Sequence, residues 1–420
     1  MSFFRSIAPA FSLLVIGSGG VLADESEDLR FADLEAPEHD YWNRPLQDPF
    51  TLLKDDLEQG RLGLDTSSEK AYLESLLKAL EIPASTQMLV YSTTSLQLSR
   101  ISPRTPRALY FKDDLYLGYV QGGRIEIVSI DPELGGIFYI FDIPVQGKRP
   151  VAERSERCMR CHADEDTHEV PGINIKSVIP GPTGGSLESY RRGLTGHGIP
   201  LADRFGGWYV TGADDIKPHW GNLIGRFTPE GIVTTPLPPG REFDWNAFPV
   251  ATSDMLAHLL HEHQGGFVNR FTQAHYRLRT ALADGKGRLL PDDRRRIETL
   301  VEELVRYLLF ADEAPLSAPL AGDSRLKEDF RANRRVDGAG NSLRDFDLET
   351  HLLRNRCSYM IYSPLFQHLP AGFKKLLYTR IGRALALSPS DPDFSYLPNS
   401  EKARIRSILR ETLPDLPPGW

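Results

Sequence analysis

Residues 108–143 read ALYFKDDLYLGYVQGGRIEIVSIDPELGGIFYIFDI. Four apolar or alternating runs stand in this stretch, at 108–111, 115–120, 124–130 and 136–143. They are rich in Val, Ile, Tyr and Phe, the residue types that fit a pleated and half-buried surface. Lys112-Asp113-Asp114, Gly122-Gly123 and Asp131-Pro132 separate them with turn chemistry. Connections so short join only antiparallel neighbours. The stretch therefore predicts an antiparallel meander, the centre of a β-rich region over 86–245.

Upstream, residues 24–85 form an acidic, mostly polar segment with one expected helix. Tyr72, Leu73, Leu76, Leu77 and Leu80 recur at helical spacing behind Thr66-Ser67-Ser68-Glu69, which fits a capping box, and Pro83 ends the run. At the very start, Arg5 precedes a short apolar core over 7–16, helix-breaking Gly17 to Gly20, and Val21-Leu22-Ala23. That pattern predicts a secretory signal peptide, residues 1–23. Downstream of the meander, 173–179 and 208–211 read as further strands in a glycine-punctuated chain. From 246 to 420 the composition turns helical. One face carries Met255, Leu256, Leu259, Leu260, His263, Phe267 and Phe271, which leaves His258 and His261 on the face expected to meet solvent. Ile297, Leu300, Val301, Leu304 and Leu308 mark a second helix begun by Pro291. Residues 316–341 read as a long loop, 343–362 and 365–387 as partly helical, and Ile405, Ile408, Leu409 and Leu413 as a last helix.

The chain has 420 residues, 40% hydrophobic and 25% charged, with a net charge of -8. This composition excludes a disordered, collagenous or rod-like chain. The acidic balance gives no sign of nucleic-acid binding, which takes a basic surface. No run after the signal approaches the ~20 apolar residues of a membrane span.

Of three cysteines, two stand in Arg157-Cys158-Met159-Arg160-Cys161-His162. C-x-x-C-H is the attachment signature of a c-type haem. Two thiols one helical turn apart can form thioethers with the two vinyl groups, and the adjacent imidazole can take the proximal side of the iron. A zinc site would want a fourth ligand, and the remaining thiol, Cys357, lies far off among Leu352, Leu353, Tyr359 and Met360, where a buried and inert thiol is expected. Cys158 and Cys161 are thus the expected covalent haem residues, His162 the proximal ligand, and one haem c the cofactor.

Cys158-Met159-Arg160-Cys161-His162 resembles the attachment motif of c-type cytochromes. Phe205-Gly206-Gly207-Trp208-Tyr209-Val210-Thr211-Gly212, His219-Trp220-Gly221-Asn222 and Cys357-Ser358-Tyr359 are similar to segments of larger exported bacterial proteins, functionally uncharacterised, that carry a single haem motif. The resemblance covers most of the chain and implies a periplasmic, Gram-negative setting, with no activity attached. Small cytochromes c are similar only at the motif. They carry it near the start of an all-helical domain with a Met ligand downstream, whereas here it follows a sheet and Met is scarce. The expected fold is α+β: an antiparallel, PAS-like haem domain followed by a mostly helical C-terminal domain.

With Met88, Met159, Met255 and Met360 the only methionines after the signal, a distal His is expected. The candidates are His197, on a Gly-His-Gly loop, His219, and His263 on the helical domain's apolar face. Arg154, Arg157 and Arg160 could pair with haem carboxylates, and Asp164-Glu165-Asp166 could form an acidic docking edge. The leading functional expectation is single-electron transfer with an unidentified redox partner protein, more a carrier than an enzyme. The alternatives are a haem-based redox or gas sensor and, behind it, a haem enzyme such as a peroxidase.

Overall fold

The four runs expected as strands pair as a meander. In the computed structural model, which describes residues 33–144, 148–189, 195–213 and 215–420, they are β2 (Arg107–Lys112), β3 (Leu115–Tyr119), β4 (Arg124–Asp131) and β5 (Gly135–Asp142). The expected signal peptide lies outside the described residues. With β1 (Met88–Val90), β6 (Glu153–Arg154) and β9 (Trp208–Tyr209), these strands form a seven-stranded antiparallel sheet of order β6-β5-β4-β3-β2-β1-β9. Of the run 173–179, only its end is a strand, β7 (Val178–Pro180). It pairs with β8 (Ser186–Ser189), while β10 (Leu223–Thr228) and β11 (Gly231–Pro236) form a separate hairpin.

Strict alternation sends the sheet's side chains to two different cores. Tyr110, Leu117, Ile127, Tyr139 and Phe141 pack with the N-terminal helices. Phe111, Tyr116, Ile130 and Trp208 pack with the C-terminal helices. Both faces are covered, so the strands read as almost continuous apolar runs rather than as clean alternation.

The N-terminal layer holds two helices rather than the single one expected, α1 (Pro49–Glu58) and α2 (Glu69–Ala79). Asp48 caps α1: its Oδ1 accepts from the backbone N–H of Phe50 and Thr51, both at 3.1 Å, and its Oδ2 accepts from the Tyr139 hydroxyl at 3.0 Å. Pro49 at the first helical position completes a standard start. Ser68 caps α2, but Glu69 is already helical and makes no capping box. Its carboxylate accepts from Gly122 N–H at 3.0 Å and Tyr119 hydroxyl at 2.9 Å, tying the helix to the sheet.

The motif lies on α3 (Met159–His162), and the longest helix is α4 (Met255–Asp284). Burial runs all round α4: His258, His261, His263 and His275 are 3, 5, 0 and 4% exposed, so the solvent-facing placement of His258 and His261 is corrected. The sequence pattern misled because the helix is covered on both sides, by the sheet and by its helical neighbours. Two adjacent glycines interrupt it for a packing reason. A Cβ on Gly265 would stand 2.8 Å from Ile175, and one on Gly266 2.3 Å from the Tyr307 hydroxyl. The remaining helices are α5 (Pro291–Leu308), α6 (Ser324–Arg331), α7 (Pro364–Gln367), α8 (Ala371–Ala384) and α9 (Asn399–Thr412). The stretch expected as a loop thus contains α6, begun by Asp323, whose carboxylate accepts from Leu326 N–H. Over 343–362 the only helical turn is a short 3-10 one, Tyr359–Tyr362.

Burial holds His258 and His263 down to about 3 and His275 to about 4, against 6.5 for a free imidazole. The folded chain keeps these rings neutral where the unfolded chain protonates them. Stability is therefore full above pH ~6.5 and declines on acidification. Between pH 7 and pH 5 each ring should remove roughly 1–2 kcal/mol, measured as a falling urea midpoint. An unchanged midpoint would show that the rings are not held neutral. Cys357 is fully buried and burial pushes its thiol well up. It should react with thiol reagents only on unfolding, and rapid labelling of the native protein would place it at the surface instead.

Candidate functional site

Cys158 closes a 3-10 turn and Cys161 lies on α3, so a single helical turn carries both thiols. Cys161 is exposed and Cys158 half-buried, and neither is in a disulfide. Burial raises the Cys158 thiol, against a hydrogen bond from Ser155 that favours the thiolate.

His162 ends the same turn. Its ring lies 4.7 Å from that of Phe138, at 47°. Its Nδ1 is 2.9 Å from the carbonyl oxygen of Gly172, which can only accept, so the proton sits on Nδ1 and the lone pair on Nε2. The Gly172 N–H returns to the His162 carbonyl at 2.8 Å. Two reciprocal bonds thus pin one residue to the other and close the loop between them. Burial lowers the imidazole pKa, which keeps the ring neutral and its lone pair available.

Gly172 is held from α4. The Asn269 side chain, fully buried, accepts from Ile173 N–H at 2.7 Å and donates to Ile173 carbonyl at 3.0 Å. It presses so close that a Cβ on Gly172 would stand 2.3 Å from Asn269 Oδ1. Asn174 then donates to the Cys161 carbonyl at 2.5 Å. A residue of the helical half therefore sets the orientation of the imidazole.

On the sheet face that carries Phe138, Arg107 pairs with Glu126 at 2.9 Å, and Ser95 and Gln97 also donate to that carboxylate. Burial works against the Glu126 charge, but Arg107, Ser95 and Gln97 outweigh it and hold the carboxyl below its usual range. This pair acts electrostatically on His162, and Glu126 also on Cys158.

The three expected distal histidines are placed elsewhere in hydrogen-bond networks. His197 and His263 meet each other, Nδ1 to Nδ1 at 2.8 Å, and Nε2 of His263 lies 2.8 Å from the Ser358 hydroxyl. His197 also bonds to the Ala311 backbone. Tyr307 and Phe310 stack on His197, with ring centroids 4.3 and 4.4 Å away. His219 is half-buried, and its Nδ1 accepts from Gly221 N–H at 3.0 Å, which puts the proton of the neutral ring on Nε2. In this arrangement Nε2 of His263 is engaged and Nε2 of His219 carries the proton.

Arg154 is turned inward rather than toward the motif. It donates to Tyr41 and Trp42 carbonyls at 2.8 and 3.1 Å and stacks on both rings. Arg157 and Arg160 are exposed. The acidic triplet is partly used internally, with Asp164 capping the next turn and Asp166 paired with Lys176, which leaves Glu165 outermost. Sequence reading missed Phe138, Gly172, Asn269, Arg107 and Glu126. A Gly ten residues after the motif was the only local sign of any of them.

Among the described residues, no three His, Cys, Asp or Glu side chains gather as a metal site, and Cys158, Cys161 and His162 are no exception. What the arrangement offers is one neutral imidazole with a fixed tautomer beside two thiols on one helical turn.

Asn269→Ala should leave the Ile173 N–H and carbonyl without partners in a buried place and cost about 2–3 kcal/mol. Amide exchange should rise selectively over 172–175. Exchange that stays unchanged there would show that the clamp does not hold the loop.

No family model, no curated protein and no solved structure matches this chain.

Proposed function

We propose that the chain is a monohaem c-type cytochrome, exported to the periplasm, that passes single electrons to a partner protein. The reciprocal pairing of His162 with Gly172 carries this reading. A haem ligand needs its free nitrogen fixed by a hydrogen bond from the other one, most often to a backbone carbonyl or carboxylate. That is the state of His162. The thiols suit the same group. They lie on one helical turn, spaced as two sulfurs bonded to the two vinyl carbons would be.

When bound, the haem supplies a one-electron couple at its iron. Cys158 and Cys161 would hold it covalently, and His162 Nε2 would face the metal. Gly172 and Asn269 keep the imidazole oriented, burial keeps it neutral, and Phe138 packs against it. Cys161 is exposed, so the attachment edge reaches the surface, where a partner can approach. The signal at 1–23 belongs to this proposal, since bacterial haem c is attached outside the cytoplasm. So does the PAS-like comparison, which rests on an antiparallel sheet with a ligand-bearing face. Among the described residues no helix is long and apolar enough to cross a membrane.

A haem-based redox or gas sensor is the second reading. It is favoured by one observation, the engagement of His197, His219 and His263 in other hydrogen bonds. An iron with no sixth protein ligand would be open to a small molecule.

Periplasmic expression with haem-maturation factors should give a coloured protein heavier by one haem, whose colour survives acid–acetone extraction. Cys158→Ala with Cys161→Ala should lose the covalent link. A colourless parent with unmodified mass would end the haem reading. Carbon monoxide separates the two roles: a reduced parent that does not bind it favours the electron carrier, and rapid binding favours the sensor.

A further inference from the structure

Three residues of His219-Trp220-Gly221-Asn222 line a cleft of about 440 Å³ that shares no residue with the attachment turn. Val210, Ala213, Pro218 and Leu223 supply its apolar walls, and Lys217 and His219 its ionisable groups. Among the described residues no carboxylate lines it. The cavity beside α2, by contrast, has Glu69 and Asp142 in its walls, and the one beside the attachment turn has Asp142 and Glu153. In a chain with a net charge of -8, a cleft with an ammonium group and no acid is a local reversal of sign.

Backbone pairing sets the walls. The Asn222 side chain accepts from Val210 N–H at 2.8 Å and donates to the Val210 carbonyl at 2.7 Å. Its backbone N–H donates to the Trp208 carbonyl at 3.0 Å, and its carbonyl accepts from Leu237 N–H at 2.7 Å. Asn222 is therefore a brace, with its amide already engaged. Gly221 lies so close to Val210 that a Cβ would stand 2.7 Å from Val210 Cγ2.

Two donors remain. Nδ1 of His219 is taken by Gly221 N–H, so the neutral ring presents Nε2–H, which has no acceptor among the described residues. Phe205 lies edge-on to the ring, with centroids 5.9 Å apart at 73°. Lys217 is exposed, and its ammonium pairs with no carboxylate among the described residues; its backbone N–H donates to the Ser317 hydroxyl at 3.2 Å. Burial and the Lys217 charge both lower the His219 pKa, so at pH 7 the ring is a neutral donor.

We propose that this cleft binds a small organic acid as its anion, with the carboxylate on Lys217 and His219 and the apolar body against Val210, Ala213, Pro218 and Leu223. A carboxylate is acceptor-only and matches two donors that lack acceptors, one of them charged. The apolar walls favour an organic body over a bare inorganic ion, and the size lies within the range of small-molecule sites. The inference goes beyond the haem reading and does not depend on it.

Benzoate is the probe, followed by ligand-observed NMR on the full chain at pH 7, with benzamide as its neutral counterpart. Benzoate should bind with a Kd of about 1 mM or below, and benzamide roughly tenfold more weakly. Lys217→Gln should weaken benzoate roughly tenfold, and Lys217→Arg should restore it. His219→Phe, which keeps a ring against Phe205 and removes the donor, should weaken it to a similar degree. Lys217 is exposed, so its variants test the site even if His219→Phe does not fold. No benzoate binding at about ten times that concentration would overturn the inference. So would benzamide binding as tightly as benzoate, benzoate binding unchanged by Lys217→Gln, or inorganic phosphate displacing benzoate at equal concentration. Each outcome is read with or without haem attached, so failure here leaves the haem reading untouched.

Discussion

One buried amide holds the site together. Asn269 pairs with both backbone groups of Ile173, and that contact fixes Gly172, whose carbonyl and N–H fix His162. The Asn269–Ile173 links are buried, so each donor or acceptor there would be expensive to leave unpaired. The residue is more than a hundred positions from the motif it steadies. It acts through geometry: α4 lies across the sheet face that also carries Phe138, and the loop after the motif is caught between them. Gly172 is required because the amide lies where any side chain would be.

The same helix explains why the interior tolerates so many polar groups. Its histidines find partners mostly far away in the chain: His258 in Ser253 and the Tyr209 carbonyl, His275 in the Leu365 carbonyl, His263 in His197 and Ser358. Neutral imidazoles with a hydrogen-bond partner cost little to bury, whereas charged ones would cost a great deal. Burial that makes α4 a good scaffold also withdraws its histidines from any role needing an exposed lone pair. The site then depends on His162, whose free nitrogen is the consequence of a carbonyl rather than a side chain on its other nitrogen.

Local pattern was sufficient for much of the fold. The strands of the meander were legible within one residue or so because turn chemistry brackets each run and short turns allow no other pairing. Helix α2, α5 and α9 followed from apolar periodicity. Helix α1 carried a signal that went unread, Asp48-Pro49 before a mixed polar and apolar run. Its cap is as much a contact with Tyr139 as a helix start, and polar residues around it masked the periodicity. In α4 the opposite failure occurred: a one-sided pattern was inferred for a helix covered on all sides, because His and Gln read as polar although each has a partner inside.

The sequence alone determined that two thiols and an imidazole come into register, since C-x-x-C-H needs only spacing along one helical turn. It likewise determined the antiparallel meander. Tertiary structure decided which tautomer His162 adopts, which arginines near Cys158 stay exposed, and where His197, His219 and His263 go. Those outcomes depend on groups far apart in the chain. Arg154 was drawn inward by Tyr41 and Trp42, and His197 by His263 and Ala311, while Arg157 was left outside. Residue spacing cannot encode such choices, because a buried polar side chain takes whichever partner the packing delivers, and the packing is settled by the whole core at once.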